Sequence, residues 1–260
     1  MVVKRDSKSR QLENLALHEP EIIRGLPGVD LTACRILVRP ASGSEERLAF
    51  LVDLVGGQKT GFFLDQFSNI ALAASHQTQA AQPVRILDLF CYVGHWSTQL
   101  ASHLKSRGCT VDVCAVDVSK KALAQAEANL KPFCGRVRTW DLDLIKSANE
   151  LPANEFDIVI CDPPALIKAK KDLHQGRQAY VKINAAALRS VKANGFFVSS
   201  SCSQHLSEED LLTVINKAEV KAEKRLLMTA RGLQAPDHPV LASFAQGLYL
   251  KAWMGVVIDA

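Results

Sequence analysis

The stretch Val84-Arg85-Ile86-Leu87-Asp88-Leu89-Phe90-Cys91-Tyr92-Val93-Gly94-His95-Trp96 decides how this chain is read. The apolar run over 84–89 predicts a buried strand, and the pattern over 96–105 predicts a helix directly after it. Between them lies a tight turn with a single glycine, Gly94. A dinucleotide fingerprint uses three, because the backbone must approach a pyrophosphate closely. One glycine argues against that ligand and is equally compatible with a plain βα turn.

Outside this stretch, strands and helices alternate. Strands are predicted over 111–117, 137–140, 156–161 and 196–200. Ser119 is read as the cap of a helix with Ala122, Leu123, Ala126 and Leu130 on its apolar face. Tyr180, Ile183, Ala187, Leu188 and Val191 share one helical face. Ser207 with Asp210 forms a capping-box-like start to a helix that runs to about Lys221. The last two strands, 224–228 and 249–257, have no helix between them and are expected to pair antiparallel. The pattern predicts an α/β, Rossmann-like fold whose ligand lies beyond the carboxyl ends of the strands. Upstream, strand-like runs over 47–55 and 60–64 flank Gly56-Gly57 and predict a β-hairpin. A helix is expected from 68 to about 81. Residues 1 to about 30 are expected to be loosely held, with a short helix around 11–17. The expected division is 1–44 extension, 45–80 hairpin and helix, and 81–260 main domain.

With 260 residues, 48% hydrophobic and 22% charged, the chain is of ordinary globular type, which excludes disordered, collagen-like and coiled-coil readings. Its seven cysteines include no CxxC pair, so neither a disulfide framework nor a metal site is expected. Reduced thiols in a cytoplasm are the default. No apolar run reaches the roughly 18 residues of a membrane span, and the basic start has no apolar core behind it, so no membrane partner and no signal peptide are expected. A net charge of +4 is compatible with nucleic acid without singling it out.

The strand ends carry the chemistry. Asp117 is placed to accept both hydroxyls of a ribose, or merely to start the helix at Ser119. Asp141 could accept from an adenine amino group; Asp143 could cap the next helix. Ribose and adenine sites without a pyrophosphate site suggest S-adenosylmethionine. In Asp162-Pro163-Pro164-Ala165 two prolines fix the backbone and hold Asp162 at the sheet's open end. Amino-group methyltransferases follow a similar motif with an aromatic residue that stacks on a flipped base, and Ala165 cannot do so. Lys168, Lys170, Lys171 and Arg177 next in sequence are either a solvated loop or contacts to phosphate beside the site. Cys202 stands where the strand 196–200 turns out, among Ser199, Ser200, Ser201 and Ser203. Cys161 reads as core. A thiolate matters because C5 of a pyrimidine is not nucleophilic until a nucleophile has added to C6.

Together, Lys59-Thr60-Gly61-Phe62-Phe63-Leu64-Asp65-Gln66, the Asp88-to-Gly94 turn, Asp162-Pro163-Pro164, Ser201-Cys202-Ser203, Asp237-His238-Pro239 and Gly247-Leu248-Tyr249-Leu250-Lys251 resemble the ribosomal RNA large-subunit cytosine-5 methyltransferase family. The resemblance covers roughly residues 45 to 260. It implies a class I methyltransferase fold, with a seven-stranded, mostly parallel sheet whose last strand is antiparallel, preceded by a small hairpin subdomain. It implies S-adenosylmethionine as donor and 5-methylcytidine in 23S-type rRNA, free or in a pre-ribosomal subunit, as product. By position Cys202 would be the nucleophile, and Asp162 would hydrogen-bond the cytosine near N3. Phe63, Gln66, Asp88, Phe90, Tyr92, Gly94, Asp117, Val118, Asp141, Leu142, Asp162 and Pro163 would hold the cofactor.

There are departures from the family. Its members carry an amino-terminal PUA module, whereas only about 45 residues precede the hairpin here. Phe67 replaces the Arg that follows the Asp-Gln pair, and Tyr180-Val181-Lys182 breaks a Tyr-Lys-acid pattern. Ala165 stands where many cytosine-5 enzymes have a second Cys, so the base that removes the C5 proton is unassigned. Asp237 and His238 are candidates for it, or they only shape the turn before Pro239; His238 is also a candidate RNA contact. Two alternatives stay open: a guanine ring-nitrogen rRNA methyltransferase that needs no thiol, and a cofactor-binding protein without catalysis. The amino-terminal segment could serve a homodimer.

Overall fold

The computed structural model describes residues 1–5, 9–25, 27–77 and 82–260. In chain order it contains β1 (Val2–Arg5), α1 (Ser9–Leu12), β2 (His18–Ile22), β3 (Cys34–Val38), β4 (Leu48–Val52), α2 (Phe67–Ser75), β5 (Val84–Leu89), α3 (His95–Ser106), β6 (Val111–Asp117), α4 (Lys120–Leu130), β7 (Arg136–Asp141) and α5 (Leu144–Ser147). It continues with β8 (Phe156–Cys161), α6 (Leu173–Ser190), β9 (Val191–Ser201), α7 (Glu208–Ala222), β10 (Lys224–Leu233) and β11 (Lys251–Asp259).

Seven strands form one sheet in the order β10-β11-β9-β8-β5-β6-β7. β5, β6, β7, β8 and β9 pair parallel, and β11 runs antiparallel to both β9 and β10. The apolar runs of β5 and β8 are buried along nearly their whole length because helices cover both faces. Ile70 and Ala73 of α2, Leu100 of α3 and Ala126 of α4 pack on one face. Tyr180 and Leu188 of α6 and Leu211 and Ile215 of α7 pack on the other. The order reverses between β5 and β8, and this switch point opens a crevice beyond the carboxyl ends.

Local chemistry sets the helix starts. The Ser119 side chain accepts from Ala122 N at 3.2 Å to open α4. Ser207 and Asp210 form a reciprocal capping box at α7.

The hairpin lies elsewhere than the sequence suggests. β4 pairs with the earlier strand β3, Cys34 opposite Val52 and Val38 opposite Leu48, not across Gly56-Gly57. The residues after β4 curl around Asp53, whose Oδ1 accepts from Val55 N at 2.9 Å and Gly56 N at 2.7 Å. Gly61, with φ +84°, presses on the same turn: a Cβ there would lie 2.4 Å from the Asp53 carbonyl oxygen. No strand can form in that geometry. The amino-terminal segment also differs from expectation. β1 and β2 make a two-stranded antiparallel sheet, and α1 lies ahead of the expected helix. α2 ends at Ser75; the expected end near Ala81 lies outside the described residues.

Two buried amides clamp the hairpin to the main sheet's helices. Asn129 of α4 accepts from Leu51 N at 2.7 Å and donates to Val93 O at 2.9 Å. Gln99 of α3 accepts from Ala41 N at 2.8 Å and donates to Arg39 O at 3.0 Å.

Candidate active site

The turn after β5 is built under strain. Phe90 and Tyr92 have φ of +60° and +50°, and Gly94 has +74°. Left-handed backbone at bulky residues costs on the order of 1–3 kcal/mol each and persists where the surroundings enforce it. Here Asp117 does so: its Oδ2 accepts from Tyr92 N at 3.0 Å, while Oδ1 accepts from Ser119 N at 2.8 Å. Each oxygen keeps a lone pair for a further donor. Gly94 faces α4, where a Cβ would come within 3.3 Å of the Ala126 methyl.

This turn borders a cavity of about 410 Å³, within the range of small-molecule sites. Of the residues expected to hold a cofactor, Phe63, Gln66, Phe90, Tyr92, Asp117, Val118, Asp162 and Pro163 line it. Asp88, Gly94, Asp141 and Leu142 do not. Asp88 is buried one layer behind and accepts from Ser97 N at 3.2 Å and Ser97 Oγ at 2.6 Å, bracing the start of α3. Burial pushes its carboxyl up to about 7. Asp141 points outward to Lys120, 3.5 Å away, and Leu142 belongs to the core. Asp143 and Ile145 line the cavity in their place, with Asp143 also capping α5 by accepting from Ile145 N at 3.1 Å.

Asp162 is the hub of the far wall. Its Oδ2 accepts from Gln66 Nε2 at 2.8 Å and from Trp96 Nε1 at 3.0 Å. Gln66 Nε2 also donates to Ser200 Oγ at 2.9 Å, and Asn69 Nδ2 donates to Gln66 Oε1 at 2.7 Å. Burial raises the Asp162 carboxyl to about 6, against the pull of these donors. Cys202 lines the same cavity. Burial and then the neighbouring Asp162 push its thiol up to about 11, with Lys59 opposing them.

The expected RNA contacts lie outside this lining. Lys168, Lys170 and Lys171 are exposed. Arg177 is paired with Asp210 of the α7 capping box, so its charge is engaged. His238 Nδ1 lies 2.9 Å from Asp237 Oδ2, and neither residue lines the cavity.

Several lining residues carried no assignment from sequence: Gln58, Lys59, Asp65, Trp96, Tyr249 and Leu250. Lys59 and Asp65 belong to a stretch recognised only as a motif, and Tyr249 to another. Lys59 Nζ lies 5.2 Å from the Phe63 ring centre and 5.9 Å from that of Tyr249. Among the described residues no three His, Cys, Asp or Glu could hold a metal ion, and no helix is long and apolar enough to cross a membrane.

Residues 81–250, which carry this turn and crevice, match a family model described as a methyltransferase domain. The chain belongs to this methyltransferase-domain family. The chain is similar to ribosomal RNA large subunit methyltransferase I of Alteromonas mediterranea, 32% identical over 220 residues, covering 83% of this chain and 53% of that protein. It is likewise 32% identical over 244 residues to a ribosomal RNA large subunit methyltransferase of Deinococcus radiodurans, covering 92% and 55%. The chain thus spans about half the length of these curated relatives. Its fold is similar to that of M. jannaschii TYW2 in complex with AdoMet, with a TM-score of 0.59 and 12% identity, covering 93% of this chain and 91% of that one.

Proposed function

We propose that this chain is an S-adenosylmethionine-dependent methyltransferase of ribosomal RNA that forms 5-methylcytidine in 23S-type rRNA through an adduct at Cys202. The observation that carries this reading is that Cys202, Asp162 and the Phe90–Tyr92–Asp117 wall share one cavity. The relatives' names support an rRNA substrate.

The residues fit the donor. The free lone pairs of Asp117 suit two ribose hydroxyls, and the apolar side chains of Val118 and Ile145 suit the faces of a purine. S-adenosylmethionine supplies an electrophilic methyl group. The chain supplies the rest. Cys202 adds to C6 of the target cytosine, which places the electron pair on C5. Asp162, titrating near neutrality, hydrogen-bonds the N3 side and gives it a proton as the thiolate adds. Burial holds the Cys202 thiol up to about 11, so its proton must leave as the sulfur adds, and the Asp162 carboxyl that hands a proton to N3 is the group that takes it. Lys168, Lys170 and Lys171 offer exposed charge to the RNA backbone.

The test uses RNA that carries 5-fluorocytidine, from which C5 cannot lose a proton. The wild type is expected to form a complex that survives denaturing gels, and Cys202→Ala is expected to form none while keeping its affinity for S-adenosylhomocysteine. Full methylation by Cys202→Ala would instead favour the guanine ring-nitrogen reading.

A further inference from the structure

The reaction above leaves one step without an agent. After methylation, C5 carries both a methyl group and a hydrogen, and C6 is still bonded to sulfur. A base must take that hydrogen, and the position where a second thiol would stand is Ala165. Asp237 and His238 are paired with each other outside the cavity lining.

Asp65 and Tyr249 lie in the lining with Cys202. Asp65 is only 4% exposed, and the Tyr249 hydroxyl donates to its Oδ2. Asp65 Oδ1 is buried with no hydrogen-bond partner among the described residues. An under-satisfied buried carboxylate at a cavity wall is costly and calls for an explanation. The fold also draws Tyr249 towards the thiol. Lys251 is opposite Ser201 at the end of the β11–β9 pairing, so Leu250 and Cys202 come next along the two strands. The buried Lys251 Nζ then ties the two segments together, donating to Ser203 O at 2.6 Å and Tyr249 O at 3.0 Å. Lys59 Nζ lies over the Tyr249 ring, 5.9 Å from its centre.

We propose that Tyr249 and Asp65 form the proton relay that releases the product. The inference rests on Cys202 being the nucleophile. Tyr249 Oη accepts the C5 proton while its own proton passes to Asp65 Oδ2. The C5–H electron pair becomes the C5=C6 double bond, the C6–S bond breaks, and its pair leaves on Cys202 Sγ as thiolate. N3 gives its proton back to Asp162, which returns it to the sulfur, so the net result is one proton on Asp65 and a regenerated Cys202. Burial together with Asp65 raises the Tyr249 hydroxyl, so it holds its proton until the carboxylate takes it.

The experiment uses rRNA labelled with tritium at cytidine C5, S-adenosylmethionine carrying a labelled methyl group, and the full chain as wild type, Asp65→Asn and Tyr249→Phe. A parallel set with 5-fluorocytidine RNA reports addition and methyl transfer with release blocked. Both variants are expected to form the fluorinated adduct as the wild type does. On ordinary rRNA they are expected to stall after about one methyl per enzyme, in a complex stable to denaturation, with tritium release slowed by about 10²-fold or more. Tritium release at the wild-type rate in either variant overturns the relay. Loss of the fluorinated adduct in both variants also overturns it, because it places the pair in addition or methyl transfer, before release. Absence of that adduct in the wild type overturns the cytosine reading beneath it, and does so without either variant.

Discussion

Asp88→Asn tests the electrostatics behind the strained turn. Asp88 is buried, its carboxyl held up near 7 against an ordinary 3.8. Its folded value is raised, so between these two pH values the folded chain binds a proton that the unfolded chain has lost. Stability must therefore fall as pH rises through this window and level off above about 7. The slope is about 1.4 kcal/mol per pH unit, giving roughly 4 kcal/mol across the window. Asn keeps an oxygen for the two donors of Ser97 and removes the titration. Its amide would meet the place where Asp88 Oδ1 has no partner among the described residues, at a cost of about 1–3 kcal/mol. The variant is thus expected to be about 1–3 kcal/mol more stable than the wild type at pH 8 and to lose most or all of that advantage by pH 5. Urea unfolding followed by circular dichroism at pH 5, 6, 7 and 8 measures the difference. Asp162 is also held up, and the charge of each raises the other, so the difference between the two proteins reports Asp88 together with its coupling to Asp162. A difference that does not change with pH, or one that favours the wild type more as pH rises, refutes the reasoning.

Cys202 should alkylate slowly. A thiol raised from 9.0 to about 11 has about a hundredfold less thiolate at pH 8, only partly offset by the greater nucleophilicity of that thiolate. Peptide mapping after iodoacetamide should find it about tenfold slower than an ordinary thiol, with the rate still climbing above pH 9. Asn129→Ala strips partners from Leu51 and Val93 backbone groups and is expected to cost about 3 kcal/mol in urea unfolding. Asp117→Ala removes the acceptor that orders the Phe90–Tyr92 turn, and calorimetry should show S-adenosylhomocysteine binding weakened by about tenfold or more.

The main sheet was legible because buried strands leave apolar runs and helix starts leave capping residues. β6 and β8 begin and end where their patterns do, and Ser119 and Ser207 cap as read. Gly56-Gly57 is a strong local signal for a hairpin, yet the turn there is one in which Asp53 accepts from Val55 N and Gly56 N, and the strand that pairs with β4 lies upstream of it. β1 and β2 are mostly polar and half exposed, so they lack the alternation that marks a strand. At the site, Asp141 and Asp143 differ by two residues, and only the geometry of the β7 end decides which of them meets the cavity. Asp65 and Tyr249 are 184 residues apart, beyond the reach of any local pattern.

The cavity draws its walls from two separate stretches of chain. Gln58, Lys59, Phe63, Asp65 and Gln66 come from the loop that follows the hairpin, and the others from residue 90 onward. A fragment of residues 82–260 would keep all seven strands and the thiol, yet present an open trough with Asp162 stripped of its glutamine donor. Grafting the function onto another scaffold would require moving both stretches together, and the clamps at Gln99 and Asn129 that hold them in step.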